Sequence, residues 1–256
     1  MNIQFVGAHN RESLNSRHVS ILIDNVLAVD AGGLTSGLTF PAQQDLKAVL
    51  LTHHHYDHIR DIPALAMNFF LQDDLINIYS TKQVYNVMSA FLLNDTLYPN
   101  FLKKPPGNPT VRFTEVEPYK AFFIEEYNVL PIPVKHSDYA VGYQITSADG
   151  IAVFFTGDTG PDLSNCWERV SPDLLIIDVT APSRFEEQSK EKGHLTPSLL
   201  RQELLSFQNI KGYLPQVITV HMNPDMEREI EAEIAEIACT LSCKISLAQE
   251  GMLVQL

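Results

Sequence analysis

The stretch LLTHHHYDH, residues 50–58, decides how this chain is read. It follows AVLLTH (48–53), an apolar run without alternation, which is the mark of a buried strand. Four histidines and one aspartate then occupy five of the six positions 53–58, with Tyr56 between them. Successive side chains on extended backbone point to opposite faces. His53 and His55 therefore leave the strand end on one side, and His54 points away. Asp57 and His58 come after a tight turn and approach from another side. One loop can in this way serve two adjacent metal ions. A histidine-rich surface loop would sit among polar residues. This one lies between a buried strand and a helix that starts near Asp61, at the carboxyl end of a strand, where α/β sites form.

Outward from that loop, the chain of 256 residues suits a single domain spanning 1–256, and its 45% hydrophobic content is that of a packed core. No run of eighteen apolar residues is present, so no membrane partner is expected. The start, MNIQFVGAHN, lacks the features of a signal peptide, which makes a cytoplasmic location the expectation. Cys166, Cys239 and Cys243 form no paired framework and read as reduced thiols. A net charge of −13, with 18 basic residues and no basic cluster, argues against extended nucleic acid as a partner. A small anion is still allowed, because bound metal outweighs global charge locally.

Strands are expected at IQFVG, VSILID, VLAVD, INIYST, 111–116, 121–124, 129–135, VGYQITS, IAVFFTG, DLLIIDV and QVITVH, with one more closing the chain. Helices are expected from an Asp61 cap through IPALAMNFF, over KQVYNVMSAFLL, over 161–169, from a Thr196 cap with Pro197 in its first turn, and over PDMEREIEAEIAEIACTL. The last is a surface helix whose Ile230, Ile234 and Ile237 mark one face. The Pro-, Gly- and Asn-rich segment 94–109 reads as a loop, and Tyr98 or Phe101 from it as a ring able to stack on a base.

The pattern H-x-H-x-D-H resembles the signature of the metallo-β-lactamase fold superfamily. Further motifs follow in that family's order, each at a strand end: Asp30 in VLAVDAGG, His136 in PVKHSD, Asp158 in FFTGDTG and His221 in ITVHMNP. The resemblance implies an α/β fold, an αββα sandwich of two mixed sheets covered by outer helices. It implies that His53, His55 and His136 hold one metal ion, that Asp57, His58 and His221 hold the other, and that Asp158 bridges them. Two divalent ions are the implied cofactors. Imidazole and carboxylate ligands suit Zn²⁺, Mn²⁺ or Fe, with Zn²⁺ preferred. A hydroxide shared by the ions is the implied nucleophile, oriented by Asp57. Asp30 matches the position that braces the histidine loop.

The segment EKGHLTP (191–197) is similar to the ribonuclease Z branch, which includes phosphodiesterases, and the class II cyclic-nucleotide phosphodiesterases share the H-x-H-x-D-H loop. The resemblance makes His194 the catalytic group that neutralises the transition state or the leaving oxygen, supported by Asp178. Leu195 stands where that branch carries serine, and no basic Gly/Pro-rich arm is present. The expected activity is hydrolysis of a small, cyclic phosphodiester. The competing expectations are carbon-ester hydrolysis, as in lactonases and thioesterases, and tRNA 3′ processing. Flavodiiron proteins carry a carboxylate where His55 stands. A homodimer is compatible with the sequence.

Overall fold

Fourteen strands form two mixed sheets of seven. They belong to a computed structural model that describes residues 1–256 and divides into two compact units interleaved along the chain. The first unit comprises Met1–Gly7, Glu12–Glu117 and Gln249–Gln255; the second comprises Ala8–Arg11, Pro118–Ala248 and Leu256.

In the first unit the strand order is Leu253–Gln255, Asn2–Gly7, Ser20–Ile23, Leu27–Val29, Ala48–Leu50, Ile76–Ser80 and Val111–Glu115. Pairing is antiparallel as far as Leu27–Val29 and parallel beyond it. Ala48–Leu50 lies between two parallel neighbours and is buried on both faces, which is why its sequence shows no alternation. The strand expected over 48–53 stops at Leu50, and residues 51–55 lead without regular structure to His55, which is itself in extended backbone. The helix Ile62–Phe70 buries Ile62, Leu65, Ala66 and Phe69, the spacing of one helical face, in a core with Val49, Leu51 and Ile78.

Asp61 stands at the expected cap position of that helix, but its side chain does not cap it. Its carboxylate accepts from the Thr35 amide at 2.8 Å and pairs with Arg60 at 3.2 Å, so it serves the short helix Leu34–Gly37 instead. The helix expected over KQVYNVMSAFLL is α only over Lys82–Val87 and widens to a π turn over Met88–Leu92. Residues 94–109 form a loop, as expected. Phe101 is buried against Phe70 at 5.3 Å and so is excluded from stacking on a ligand; Tyr98, half-buried, packs on the same core.

In the second unit the order is Ile245–Leu247, Gln216–Val220, Leu174–Asp178, Ala152–Phe155, Val141–Thr146, Tyr127–Pro133 and Phe122–Ile124. Pairing is parallel as far as Ala152–Phe155 and antiparallel beyond. Helix Pro197–Lys211 is capped by the Thr196 hydroxyl, carries its proline in the first turn and ends at Gly212, whose φ of 77° suits glycine. Helix Glu227–Leu241 buries Ile230, Ile234 and Ile237. The helix expected over 161–169 is reduced to Ser164–Trp167, and a helix at Glu186–Glu191 occupies sequence where none was expected. Two mixed sheets bearing helices are the expected α/β class. No helix is long and apolar enough to cross a membrane.

Glu203 explains why Pro197–Lys211 holds its place. It is 5% exposed and accepts from the Asp162 amide at 2.7 Å, the Leu163 amide at 3.2 Å and the Trp167 indole N–H at 2.9 Å. Trp167 in turn packs edge-on against Phe207 at 5.4 Å. Glu203→Ala strands three donors and is expected to lower the unfolding free energy by about 3 kcal/mol, with Glu203→Gln losing less; urea denaturation monitored by tryptophan fluorescence measures both.

Candidate metal centre

Each unit gathers candidate ligand residues at its strand ends. In the first, Asp30 follows Leu27–Val29, adopts a φ of 58° and is fully buried. Its carboxylate accepts from the Thr52 amide at 2.8 Å, from the Thr52 hydroxyl at 2.9 Å and from His58 Nδ1 at 2.7 Å. The Thr52 oxygen also lies 3.0 Å from His53 Nδ1. A carboxylate only accepts, so the Thr52 hydroxyl donates to Asp30 and accepts from His53 Nδ1–H. One buried aspartate thus fixes two imidazoles, His58 directly and His53 through threonine. Both are left with Nε2 as the lone-pair nitrogen.

The ring spacing follows the alternation read from the sequence. His53 and His55 have centroids 4.6 Å apart, against 6.5 Å for His53 and His54, and the ligand atoms of His53 and His55 lie within 4.8 Å. His58 sits 4.2 Å from His53, and its Nε2 is 3.5 Å from Asp57 Oδ2. His54 is half-buried. Gly32 makes the loop possible: a Cβ there would lie 2.0 Å from the Asp57 carbonyl oxygen.

The second unit repeats the device. Asp178 ends strand Leu174–Asp178, is fully buried, and bonds His194 Nδ1 at 2.7 Å through Oδ2, while the Thr159 amide donates to the same oxygen at 3.2 Å. The Thr180 hydroxyl donates to Asp178 Oδ1 at 2.7 Å and accepts from His221 Nδ1 at 2.9 Å. Burial alone would raise the Asp178 carboxyl, but His194 and then His221 outweigh it and hold it below the ordinary carboxylate range. Asp178, His194 and His221 bring ligand atoms within 4.8 Å, and the His194 and His221 rings stack at 5.1 Å.

His136 and Asp158 complete this set. His136 Nδ1 bonds the Gly193 carbonyl at 2.9 Å. Its Nε2 is 3.7 Å from Asp158 Oδ2, which is 3.3 Å from His221 Nε2. Burial lowers the pKa of His136 and favours its neutral, ligating form. Gly193, with φ 73°, allows the approach; a Cβ there would lie 3.1 Å from His136 Nδ1. The glycine of the Gly-His-x-Thr motif therefore orients His136 and places His194 beside it, with ring centroids 4.8 Å apart.

All the residues selected from the sequence thus fall into two sets. Asp30, His53, His55, Asp57 and His58 belong to the first unit; His136, Asp158, Asp178, His194 and His221 belong to the second. The donor chemistry fits divalent metal ions. In His53, His58, His136 and His221, Nδ1 is engaged by a hydroxyl, carboxylate or carbonyl, which leaves Nε2 to ligate. Cys166 and Cys243 are buried and bond the carbonyls of Pro133 and Pro215, so neither is a thiolate ligand here. The sequence did not single out Thr52, Thr180 or Gly193. The available signals were a threonine one residue before His53, one two residues after Asp178, and the glycine next to His194.

Residues 20–222 match the model of the β-lactamase superfamily domain. The chain belongs to that superfamily. Its fold is similar to unliganded yeast PDE1, with a TM-score of 0.84 and 15% identity over 100% of this chain and 99% of that one. It is similar to the metallo-β-lactamase fold protein YhfI of Bacillus subtilis, with a TM-score of 0.74 and 16% identity over 99% and 98% of the two chains. Human short-form tRNase Z follows with a TM-score of 0.69 and 18% identity over 100% and 99%. These likenesses show the metallo-β-lactamase fold. Among curated proteins, an octanoyltransferase of Porphyromonas gingivalis is 31% identical over 108 residues, which are 41% of this chain and 20% of that protein. A hydroxyacylglutathione hydrolase of Psychromonas ingrahamii is 40% identical over 73 residues, 28% of this chain and 27% of that one. The chain thus matches about a quarter or less of the length of these curated relatives.

Thr180→Val keeps the shape of the side chain and removes the hydroxyl that fixes His221. Zinc affinity is expected to fall by a factor on the order of 10–100, while Thr180→Ser stays near wild type. Competition with a chromophoric chelator reads both values without reference to turnover.

Proposed function

We propose that this superfamily member is a dinuclear metal-dependent phosphodiesterase acting on a small phosphodiester. In this reading His53, His55 and His136 hold one ion, Asp57, His58 and His221 hold the other, and Asp158 is shared. Such ions supply Lewis acidity and a nucleophile at neutral pH. Zinc suits the imidazole-rich set, and Mn²⁺ or Fe share its ligand types.

The observation that carries the reading is the bond between His194 Nδ1 and the buried Asp178, at 2.7 Å. It fixes the orientation of the imidazole through Nδ1. Nε2 is turned toward the residues proposed as ligands, and in the imidazolium form of the ring it carries the second proton. Cleavage of a phosphodiester puts negative charge on the equatorial oxygens and on a poor alkoxide leaving group, and both need a donor. His194 supplies it. The Asp57 carboxylate, 29% exposed, orients the hydroxide nucleophile. The likeness to yeast PDE1 and to tRNase Z supports the reading by analogy of fold. The charge of −13 favours a small substrate over tRNA.

Carbon-ester hydrolysis on the same residues is the second reading, favoured by the local match to hydroxyacylglutathione hydrolase. It requires the ligands and not His194. Metal-quantified protein is therefore to be assayed on bis(p-nitrophenyl) phosphate, a lactone and a thioester. Phosphodiester turnover that falls by roughly 10²–10⁴ in His194→Ala, with metal content unchanged, is the expected result. Lactone or thioester turnover indifferent to His194, without phosphodiester cleavage, would overturn the reading.

A further inference from the structure

A cleft of about 170 Å³ opens beside His194 within the second unit. Phe185 and Met226 are among its apolar lining residues, and Gln188, Lys192 and Asn223 among its polar ones. None of these residues is a proposed metal ligand or takes part in the chemistry described above. We propose that this cleft binds the leaving group of the substrate, and that the leaving group carries a flat aromatic ring with hydrogen-bonding atoms on its edge. The proposal rests on the phosphodiesterase reading, because it is His194 that joins the cleft to the reacting bond.

Size, walls and polar groups agree. A cavity of about 150 Å³ holds one benzene ring, so this cleft takes one small ring system and not a long chain. A phenyl ring and a thioether are good partners for an aromatic face. Phe185 is already held in place. The Arg184 guanidinium covers its ring at 4.2 Å and is itself paired with Glu229 at 2.8 Å. Asn223 is fixed as well: its Oδ1 accepts from the Asp225 amide at 3.1 Å, which anchors the side chain and leaves the Nδ2 hydrogens for a ligand. Its own amide bonds the Thr180 carbonyl at 3.0 Å, so the cleft wall is tied to the residue that holds His221. A pocket with apolar walls and a few oriented polar groups selects by ring shape and edge pattern. A nucleobase and a plain aryl group share the ring; only the first has the polar edge.

The test uses metal-loaded full-length protein. Adenosine, uridine and benzyl alcohol are titrated calorimetrically against wild type, Phe185→Ala and Asn223→Asp. The aspartate keeps the cap acceptor and removes the donor. In parallel, kcat/KM is measured for an adenosine cyclic phosphate and a base-free ribose cyclic phosphate. The expected result is nucleoside binding that weakens at least fivefold in both variants, benzyl alcohol binding that responds only to Phe185→Ala, and a tenfold drop in the base-bearing to base-free kcat/KM ratio. Absence of nucleoside binding, or a ratio unchanged in both variants, overturns the cleft assignment. Benzyl alcohol bound as tightly as the nucleosides, with no effect of Asn223→Asp, overturns the polar edge. Nucleosides that bind and respond to the variants, with no cyclic phosphate cleaved, leave the cleft standing and reject the phosphodiesterase reading instead.

Discussion

A fully buried carboxylate that accepts from one imidazole directly and from a second through a threonine hydroxyl is the arrangement on which the candidate site depends. It occurs once in each unit: Asp30 with His58 and Thr52–His53, and Asp178 with His194 and Thr180–His221. The direct bond is 2.7 Å in both. Burying a carboxylate costs several kcal/mol unless its lone pairs are filled, so each network stands or falls as a whole. A backbone amide adds a further donor in each, from Thr52 and from Thr159. The threonine matters because a hydroxyl both donates and accepts. It spends its hydrogen on the carboxylate and offers its lone pair to Nδ1–H, which sets the tautomer of the second histidine.

The backbone bends where these networks need it to. Asp30 and His221 have φ values of 58° and 65°, and Gly193 has 73°. Left-handed conformations at non-glycine residues cost of order 1 kcal/mol and persist only where the surroundings fix them. At Asp30 the fixing is done by the bonds to Thr52 and His58. At His221 it is done by an amide bond to Ala8 at 2.6 Å and by the Nδ1 bond to Thr180. Side chains would otherwise alternate above and below the sheet; a left-handed turn at the strand end redirects them.

The parts legible in the sequence were those written in local pattern. The strand before His53 showed itself as an unbroken apolar run because two parallel neighbours bury both its faces, and the pairing of His53 with His55 followed from alternation alone. Helix Pro197–Lys211 was marked by its threonine cap and first-turn proline. What escaped was set by tertiary contact. The Asp61 carboxylate turned to Thr35, 26 residues away, and away from its own helix. Thr52 and Thr180 look like ordinary strand-end residues until their hydroxyls meet partners 22 and 41 positions away. The helix Glu186–Glu191 has a polar sequence without an apolar stripe, so no periodicity announced it. Its residue Gln188 and its flanking residues Phe185 and Lys192 line the cleft beside His194.

His58 and His194 are local equivalents, each bonded through Nδ1 to a buried aspartate, yet the two units treat them differently. The His58 side chain is 1% exposed and its Nε2 lies 3.5 Å from Asp57 Oδ2. The His194 side chain is 15% exposed and forms part of a cleft wall. One device therefore yields a closed imidazole, suited to permanent ligation, and an open one, suited to meeting a substrate. Nothing in the H-x-H-x-D-H loop distinguishes hydrolysis at phosphorus from hydrolysis at carbon, because both use the same ligands. The distinction lies in whether a second, oriented proton donor stands beside them. In this chain the carboxylate that secures His221 through Thr180 also holds His194, so one buried group fixes the orientation of both rings.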